Sequence, residues 1–347
     1  MSELRLENFT LSYFGHPDAL HSVDHVFTEG VNCLFAEEGS GKTSLLKGIA
    51  GINKYHAGSV LLDSSPLVYG ANSQVNMVFD DLGLFEKRSI RYNLEYPLKL
   101  RKYPADRIDA LVKEGMARFD LPDLVLDQKA FRVSPENRVK TALIRAFYRE
   151  TPVLMLDDPL KSLSPTVRQK LFLKLALELK KRSGVIIYAT DVWKEAEILS
   201  SPTLVLSYGY SLEEGLPKDI ARSPKCLSTA KNALPFYNAL PMTISNGRPV
   251  VSGVELPDFL PESVVKSFEG KALVLGFPPE GIVENGVDLN IEVKEILTVS
   301  SETPTYLLYS GDRSFYSHVD VKNIKIDLDA CVVFDEVTEV ALSKKKV

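Results

Sequence analysis

Residues 36–44 run Ala36-Glu37-Glu38-Gly39-Ser40-Gly41-Lys42-Thr43-Ser44, an order of residue types that can wrap a chain of phosphates. Glycines at 39 and 41 give the backbone the freedom to turn consecutive N–H groups inward around an anion. Lys42 would reach the β- and γ-phosphates, and the Thr43 hydroxyl would ligate Mg²⁺. A helix opening here adds the positive end of its dipole. The strict pattern has glycine where Ala36 stands, so it is missed by one methyl group. The bland alternative is a Gly-rich turn with an incidental lysine. The apolar run before the loop and the helical pattern after it disfavour that alternative.

A second candidate is Val153-Leu-Met-Leu-Asp157-Asp158-Pro159. A carboxylate ending a buried apolar strand is costly unless something at the strand's C-terminal edge uses it. Asp157 would hold Mg²⁺ through water, completing what Thr43 begins. A helix-capping Asp-Asp-Pro turn is the competing reading, and it is favoured only without the phosphate loop. Together the two motifs point to ATP or GTP.

The elements that must position these residues follow from periodicity. Leu4 to Tyr13 alternates apolar and polar residues, as a half-buried strand does. Val31 to Ala36 is a short apolar run feeding the Gly-rich loop and then a helical pattern, TSLLKGIAGI. RIDALVKEGMARF and RVKTALIRAFYRE space their apolar residues three and four apart. VLMLDD and VIIYAT, apolar on both faces, suit the middle of a parallel sheet, with the helix VRQKLFLKLALELKKR between them. The predicted fold class is therefore an α/β nucleotide-binding domain over 1–225, with a helical subdomain over about 86–150. Residues 226–242 lack a clear period and read as a linker. From 243 to 347, short β-rich runs separated by Gly, Pro, Asn and Asp predict a small all-β domain. The run Lys344 to Lys346 reads as a solvated tail.

Composition narrows the function. The chain has 347 residues, 45% hydrophobic and 25% charged, with net charge −5; a nucleic-acid binder usually carries a basic patch or domain. No apolar run reaches the roughly 18–20 residues that span a bilayer, so a membrane role must come through a partner. The first residues, MSELRLENF, lack the apolar core of a secretory signal. Cys33, Cys226 and Cys331 lie far apart and read as reduced packing thiols.

The order and spacing of these motifs resemble the ATP-binding subunit of an ABC transporter, over almost the whole chain. Tyr13, in LSYFG, matches the aromatic that stacks on adenine in that family. Val78 to Phe85 (VFDDLGLF) resembles the VFQ-x-x-ALF segment that touches the membrane partner. Val133 to Phe147 resembles the signature LSGGQ-x-QRVALARAL, so Ser134, Pro135, Glu136 and Asn137 would act in trans on a partner's nucleotide. Asp157 to Leu160 sits where the family has DEPL, and Tyr188 to Asp191 where it has V-T-H-D. Leu275 to Ile282 (LGFPPEGI) is similar to the LGIRPE segment of maltose-type importers, with Pro278 in place of its arginine. The resemblance implies a terminal OB-like regulatory domain and an importer of the carbohydrate or polyol class.

Four departures from the family pattern carry physical consequences. The glutamine that orients water is Asp80, an acceptor only. The catalytic glutamate is Asp158, one methylene shorter; a retreat of about 1 Å costs roughly a hundredfold in rate. The switch histidine is Asp191, whose charge would repel a γ-phosphate unless protonated or turned away. None of the five histidines (His16, His21, His25, His56, His318) lies near it in sequence. In the signature, Pro135 has no N–H and Glu136 adds negative charge. The SALD segment after the Asp pair is altered as well, to Lys161–Ser164 (KSLS). Binding of ATP and Mg²⁺ with weakened turnover is the expectation.

ABC motors work as head-to-tail dimers with shared sites, so the departures imply a heterodimer with a more regular ATPase subunit. The further partners implied are two membrane permeases and, indirectly, a solute-binding protein, at the cytoplasmic face of the plasma membrane. Apolar and aromatic residues between Phe79 and Tyr103 (Leu82, Leu84, Phe85, Tyr92, Leu94, Tyr96, Leu98) fit either a permease-docking surface or an ordinary helical core. The alternative function is a soluble, catalytically inactive nucleotide-binding regulator on the same fold. A DNA-repair or translation ATPase is disfavoured by the single motor domain, the acidic charge and the β-rich tail.

Overall fold

The computed structural model of the chain describes residues 2–13, 16–70, 73–222, 224–234, 236–300 and 305–342. Two compact units divide at Pro217 and Lys218. The Lys344–Lys346 run lies outside the described residues.

The first unit opens with strands β1 (Glu3–Tyr13), β2 (His16–Thr28) and β3 (Gly30–Phe35), followed by helix α1 (Lys42–Ile49). Next come β4 (Ala57–Leu62), β5 (Ser65–Pro66) and β6 (Val75–Val78). Helices α2 (Ile90–Leu100), α3 (Ala105–Phe119) and α4 (Pro135–Phe147) form the helical subdomain. The chain then alternates β7 (Val153–Asp157), α5 (Pro165–Lys180), β8 (Val185–Thr190) and α6 (Trp193–Leu199), and ends with β9 (Thr203–Ser207) and β10 (Tyr210–Gly215).

The main sheet has the order β10-β9-β3-β8-β7-β6. Its inner pairs are parallel, and β10 closes it antiparallel to β9. Strands β2, β1, β4 and β5 make a separate antiparallel sheet. Because strand side chains alternate faces, β7 and β8 serve two cores. Leu154, Leu156, Ile186 and Tyr188 pack with the helical subdomain and α5. Val153, Met155, Val185, Ile187 and Ala189 pack with α1 and the antiparallel sheet. All residues of both strands are buried, as the two-sided apolar pattern requires.

Parity also orients the two aspartates. Asp157 continues the Val153–Met155 row, towards α1 and the phosphate loop. Asp158 follows with a left-handed φ of 39°, which breaks the row. Its N–H donates to the Ala189 carbonyl at 3.0 Å, so the turn is held by β8.

Helix α4 starts as its sequence prescribes. Ser134 Oγ accepts from the Asn137 N–H at 3.3 Å, and Pro135 takes the first helical position, where a missing N–H costs nothing. Glu136 pairs with Lys140 one turn on, at 2.7 Å.

In the second unit, the expected linker at 226–242 is not one. Leu227–Ala233 is a helix capped by Cys226, and Asn238–Ser245 is already a strand. Leu227 and Ala230 bury against Phe334, a partner a hundred residues away that local periodicity does not reveal. The boundary accordingly lies before residue 226, at 217/218. The strands from Asn238 onward lie in three antiparallel sheets of five, two and three strands. They share one core, including Leu240, Leu275, Phe277, Ile326 and Val333. Asn238–Ser245 alternates buried and exposed residues throughout. All three cysteines are buried, and none forms a disulfide among the described residues.

Candidate nucleotide site

At the C-terminal edge of β3, β7 and β8 lies a cavity of about 290 Å³, lined by Glu37, Glu38, Gly39, Gly41, Lys42, Thr43, Ser44, Asp80, Asp157, Asp158 and Asp191, with Ala19 and Lys161. The phosphate loop and the substituted catalytic positions therefore meet in one site. Gly39 (φ 83°) and Gly41 (φ 100°) take left-handed conformations. A Cβ on Gly41 would come within 3.0 Å of Leu20 Cδ2 and 3.1 Å of the Ala19 carbonyl oxygen. Ala36 is buried and donates its N–H to the Thr190 carbonyl at 3.2 Å. It is not among the residues with positive φ, so the extra methyl is tolerated. Ser40 is buried, and its carbonyl accepts from Gly209 N–H at 3.2 Å, which ties the loop to the β9–β10 turn.

Lys42 is buried; Nζ donates to the Ala36 carbonyl and, at 3.4 Å, to that of Glu37. Burial lowers its pKa, and the carboxylates of Asp191, Asp158 and Asp157 work against that shift. Tyr13 stands beside the start of α1, with its ring partly exposed. Its hydroxyl donates to Ser44 Oγ at 3.0 Å and accepts from Asn53 Nδ2 at 2.8 Å.

Asp157 is 1% exposed, and neither carboxylate oxygen has a hydrogen-bond partner among the described residues. Burial raises its pKa, while the nearby Thr43 hydroxyl, outside hydrogen-bond geometry in the structure, lowers it. A buried carboxylate with both oxygens unsatisfied is the expected complement of a cation. Asp157 and Thr43 therefore fit Mg²⁺, which is commonly held by one or two protein oxygens together with phosphates.

Asp158 is engaged elsewhere. Arg168, on α5, donates from Nη2 to Asp158 Oδ1 at 2.9 Å and to Thr190 Oγ1 at 3.1 Å. The same guanidinium grips Glu195 of α6, at 2.7 Å from Nε and 3.0 Å from Nη2. Glu195 also accepts from the hydroxyls of Tyr188 (2.9 Å) and Thr190 (2.5 Å). Asp191 Oδ1 lies 3.7 Å from Arg168 Nη2. Burial lifts the Asp158 pKa to about 6, against the lowering effect of Arg168. Burial would lower the Arg168 pKa, but Glu195 and Asp158 outweigh it and raise it. The carboxylate expected as a catalytic base is thus tied to a fixed cation, and Asp191 sits at the edge of the same ion group.

The signature positions lie elsewhere. Ser134 and Pro135 are exposed at the start of α4, and none of Ser134, Pro135, Glu136 and Asn137 lines the phosphate cavity. Pro135 lines a neighbouring depression with Asp80, Asp81, Glu86, Arg138 and Ser162. Of the residues weighed for docking, Leu82, Leu94 and Leu98 belong to the core, so the core reading holds for these three. Phe85, Tyr92 and Tyr96 instead form an aromatic group at the surface, with ring centroids 4.9–5.8 Å apart. Arg88 lies over Tyr92 and Arg145 over Phe85.

Sequence reasoning missed Arg168, Glu195 and Ala19. Arg168 sits in a helix rich in basic residues and reads there as a solvated charge. Its partners are 10, 22 and 27 residues away, beyond any local spacing rule.

A parallel sheet with a Gly-rich loop entering a helix, and a buried aspartate at the end of β7, defines a P-loop nucleotide-binding domain. Residues 26–161 match the ABC transporter family model, and the chain carries an ABC transporter ATP-binding domain. It is 29% identical over 325 residues to the sn-glycerol-3-phosphate import ATP-binding protein UgpC of Chromohalobacter salexigens, covering 90% of this chain and 85% of that protein. The UgpC of Bordetella avium is 26% identical over 311 residues, 87% of this chain and 84% of its own. The Fe(3+) ions import ATP-binding protein FbpC of Escherichia coli is 29% identical over 258 residues, 73% of each chain. Among solved structures, cbiO1 from Clostridium perfringens superposes with a TM-score of 0.56 at 23% identity, over 63% of this chain and 90% of that one. The dimeric cassette MJ0796 gives 0.55 at 20% identity, over 61% and 98%; these two likenesses concern the fold.

Proposed function

We propose that the chain is the ATP-binding subunit of an ABC importer for a phosphorylated polyol or carbohydrate, a motor half that grips ATP but hydrolyses it slowly. The importer reading is supported by likeness to import ATP-binding proteins over 87–90% of the chain, the β-rich unit included. Slow hydrolysis is carried by one observation, the 2.9 Å contact between Arg168 and Asp158.

Lys42 and the loop N–H groups bind the phosphates, and Tyr13 stands beside the base. Thr43 and Asp157 would hold Mg²⁺, which, when bound, neutralises charge on the β- and γ-phosphates. A general base must reach the attacking water within hydrogen-bond distance. Asp158 is one methylene shorter than glutamate, and one of its oxygens is committed to Arg168. Asp80 and Asp191 add acceptors where the family has a glutamine and a histidine. A second, more regular ATPase subunit would supply the competent catalytic set, with Ser134 to Asn137 closing over its nucleotide. The surface aromatics Phe85, Tyr92 and Tyr96 are the proposed contact with a membrane permease, since among the described residues no helix is long and apolar enough to cross a membrane.

The test is ATPase activity of the purified chain, alone and co-expressed with a regular ATPase partner and two permeases. Low activity alone, restored by the partner and insensitive to Asp158→Asn, is expected. Ordinary transporter turnover by the chain alone, abolished by Asp158→Asn, would refute slow hydrolysis. Loss of permease co-purification on Phe85→Ala and Tyr96→Ala, with ATP binding unchanged, is the expected result for the docking surface.

A further inference from the structure

The turn after Asp158 places a lysine in the phosphate cavity. Lys161 follows Leu160, which is fully buried, and its N–H donates to the Asp158 carbonyl at 3.1 Å. The backbone at 161 is therefore fixed beside the strand end while the side chain stays half exposed. Its ammonium pairs with Glu38 of the phosphate loop at 2.8 Å, across 123 residues of sequence. The cavity wall carries six carboxylates, from Glu37, Glu38, Asp80, Asp157, Asp158 and Asp191, against two lysines, Lys42 and Lys161. Such a wall opposes a polyphosphate unless cations turn towards it. Lys42 serves the inner part of the loop, and Arg168 is committed to Asp158 and Glu195, so Lys161 is the further cation within reach of the outer phosphates. Among the described residues, the Lys161 ammonium is held only by an exposed ion pair, which opens at little cost. A terminal phosphate carries more negative charge than one carboxylate and offers three acceptor oxygens. Tyr13 is tied to Ser44 at the helix end of the loop, whereas Glu38 lies in its first half. A nucleotide with its base at Tyr13 thus runs its phosphates towards Glu38 and Lys161.

We propose that Lys161 is a second phosphate ligand acting within its own chain: it is parked on Glu38 and turns onto the terminal phosphate of a nucleoside triphosphate. The exchange makes the loop sensitive to the γ-phosphate. The proposal rests on the nucleotide-site reading above.

Calorimetric titration of the full chain with MgATP and with MgADP at low ionic strength tests it. Lys161→Met is expected to weaken MgATP about tenfold, the size of one charge-assisted hydrogen bond, and MgADP by less than about twofold. Lys161→Arg restores most of the MgATP affinity. Glu38→Gln, which removes the competing carboxylate, binds MgATP at least as tightly as wild type. Both side chains are exposed, so thermal unfolding of the variants matches wild type. An unchanged MgATP affinity in Lys161→Met, or equal losses for both nucleotides, overturns the proposal, as does weaker MgATP binding by Glu38→Gln. A wild-type chain that binds neither nucleotide refutes the nucleotide site itself.

Discussion

Replacing Arg168 with methionine removes the guanidinium that bonds both Asp158 and Glu195 behind the phosphate site. Arg168 is 13% exposed and the two carboxylates 5% and 6%, so solvent replaces little of what is lost. At about 3 Å and an effective dielectric of about 20, each contact is worth roughly 5–6 kcal/mol before desolvation, most of which desolvation offsets. Removing one partner of such a buried group leaves the others uncompensated and costs about 3–5 kcal/mol. The pH dependence has a definite sign. The folded pKa of Asp158, about 6, lies above its ordinary 3.8. The native state therefore binds the extra proton, and this group's contribution to stability falls as pH rises from about 4 to 6. Without Arg168, which lowers that pKa, the folded value moves higher and the fall continues above pH 6. Urea unfolding of the full chain should show a deficit of about 3–5 kcal/mol at pH 8, smaller at pH 6. A deficit below about 1 kcal/mol, or one that is the same at both pH values, would refute the assignment of Arg168 as the counter-charge of this site.

Lys42→Ala should weaken MgATP about a hundredfold by calorimetry, because a buried charge-assisted contact to phosphate has no substitute in the loop. Gly41→Ala should cost about 1–3 kcal/mol in unfolding free energy, from a positive φ and the crowding by Leu20 and Ala19, and should also weaken MgATP. Asp157→Asn should stabilise the metal-free chain by about 1–2 kcal/mol at neutral pH, since it removes a buried carboxylate with no hydrogen-bond partner. The same variant should lose the Mg²⁺-dependent part of ATP affinity, measured by titration with and without the metal. The folded pKa of Asp157 is raised, so wild type loses stability as pH rises through its titration and the variant's profile should be flatter there.

The parts of this protein that its sequence determined are those encoded by short-range spacing. Gly39, Gly41, Lys42 and Thr43 are neighbours in the chain, and a strand feeding them into a helix leaves them little choice of geometry. The two-sided apolar runs of β7 and β8 announced the centre of a parallel sheet, and Asp157 could be placed at its C-terminal edge because it ends the apolar run. The weak period of 226–242 hid both a helix that depends on Phe334 and the start of the strand at 238–245. The docking candidates split in the same way: on α2, Leu94 and Leu98 turned inward and Tyr92 and Tyr96 outward, while in the turn before it Leu82 is buried and Phe85 exposed, a choice made by which side meets its neighbours. Tertiary structure alone decided the electrostatics. Whether Asp158 is a free base or the partner of Arg168 depends on the face that α5 presents to the ends of β7 and β8. The Lys161–Glu38 pair likewise depends on a turn meeting a loop 123 residues earlier in the chain. Charges interact through space, so their pairing follows packing and leaves no period in the chain.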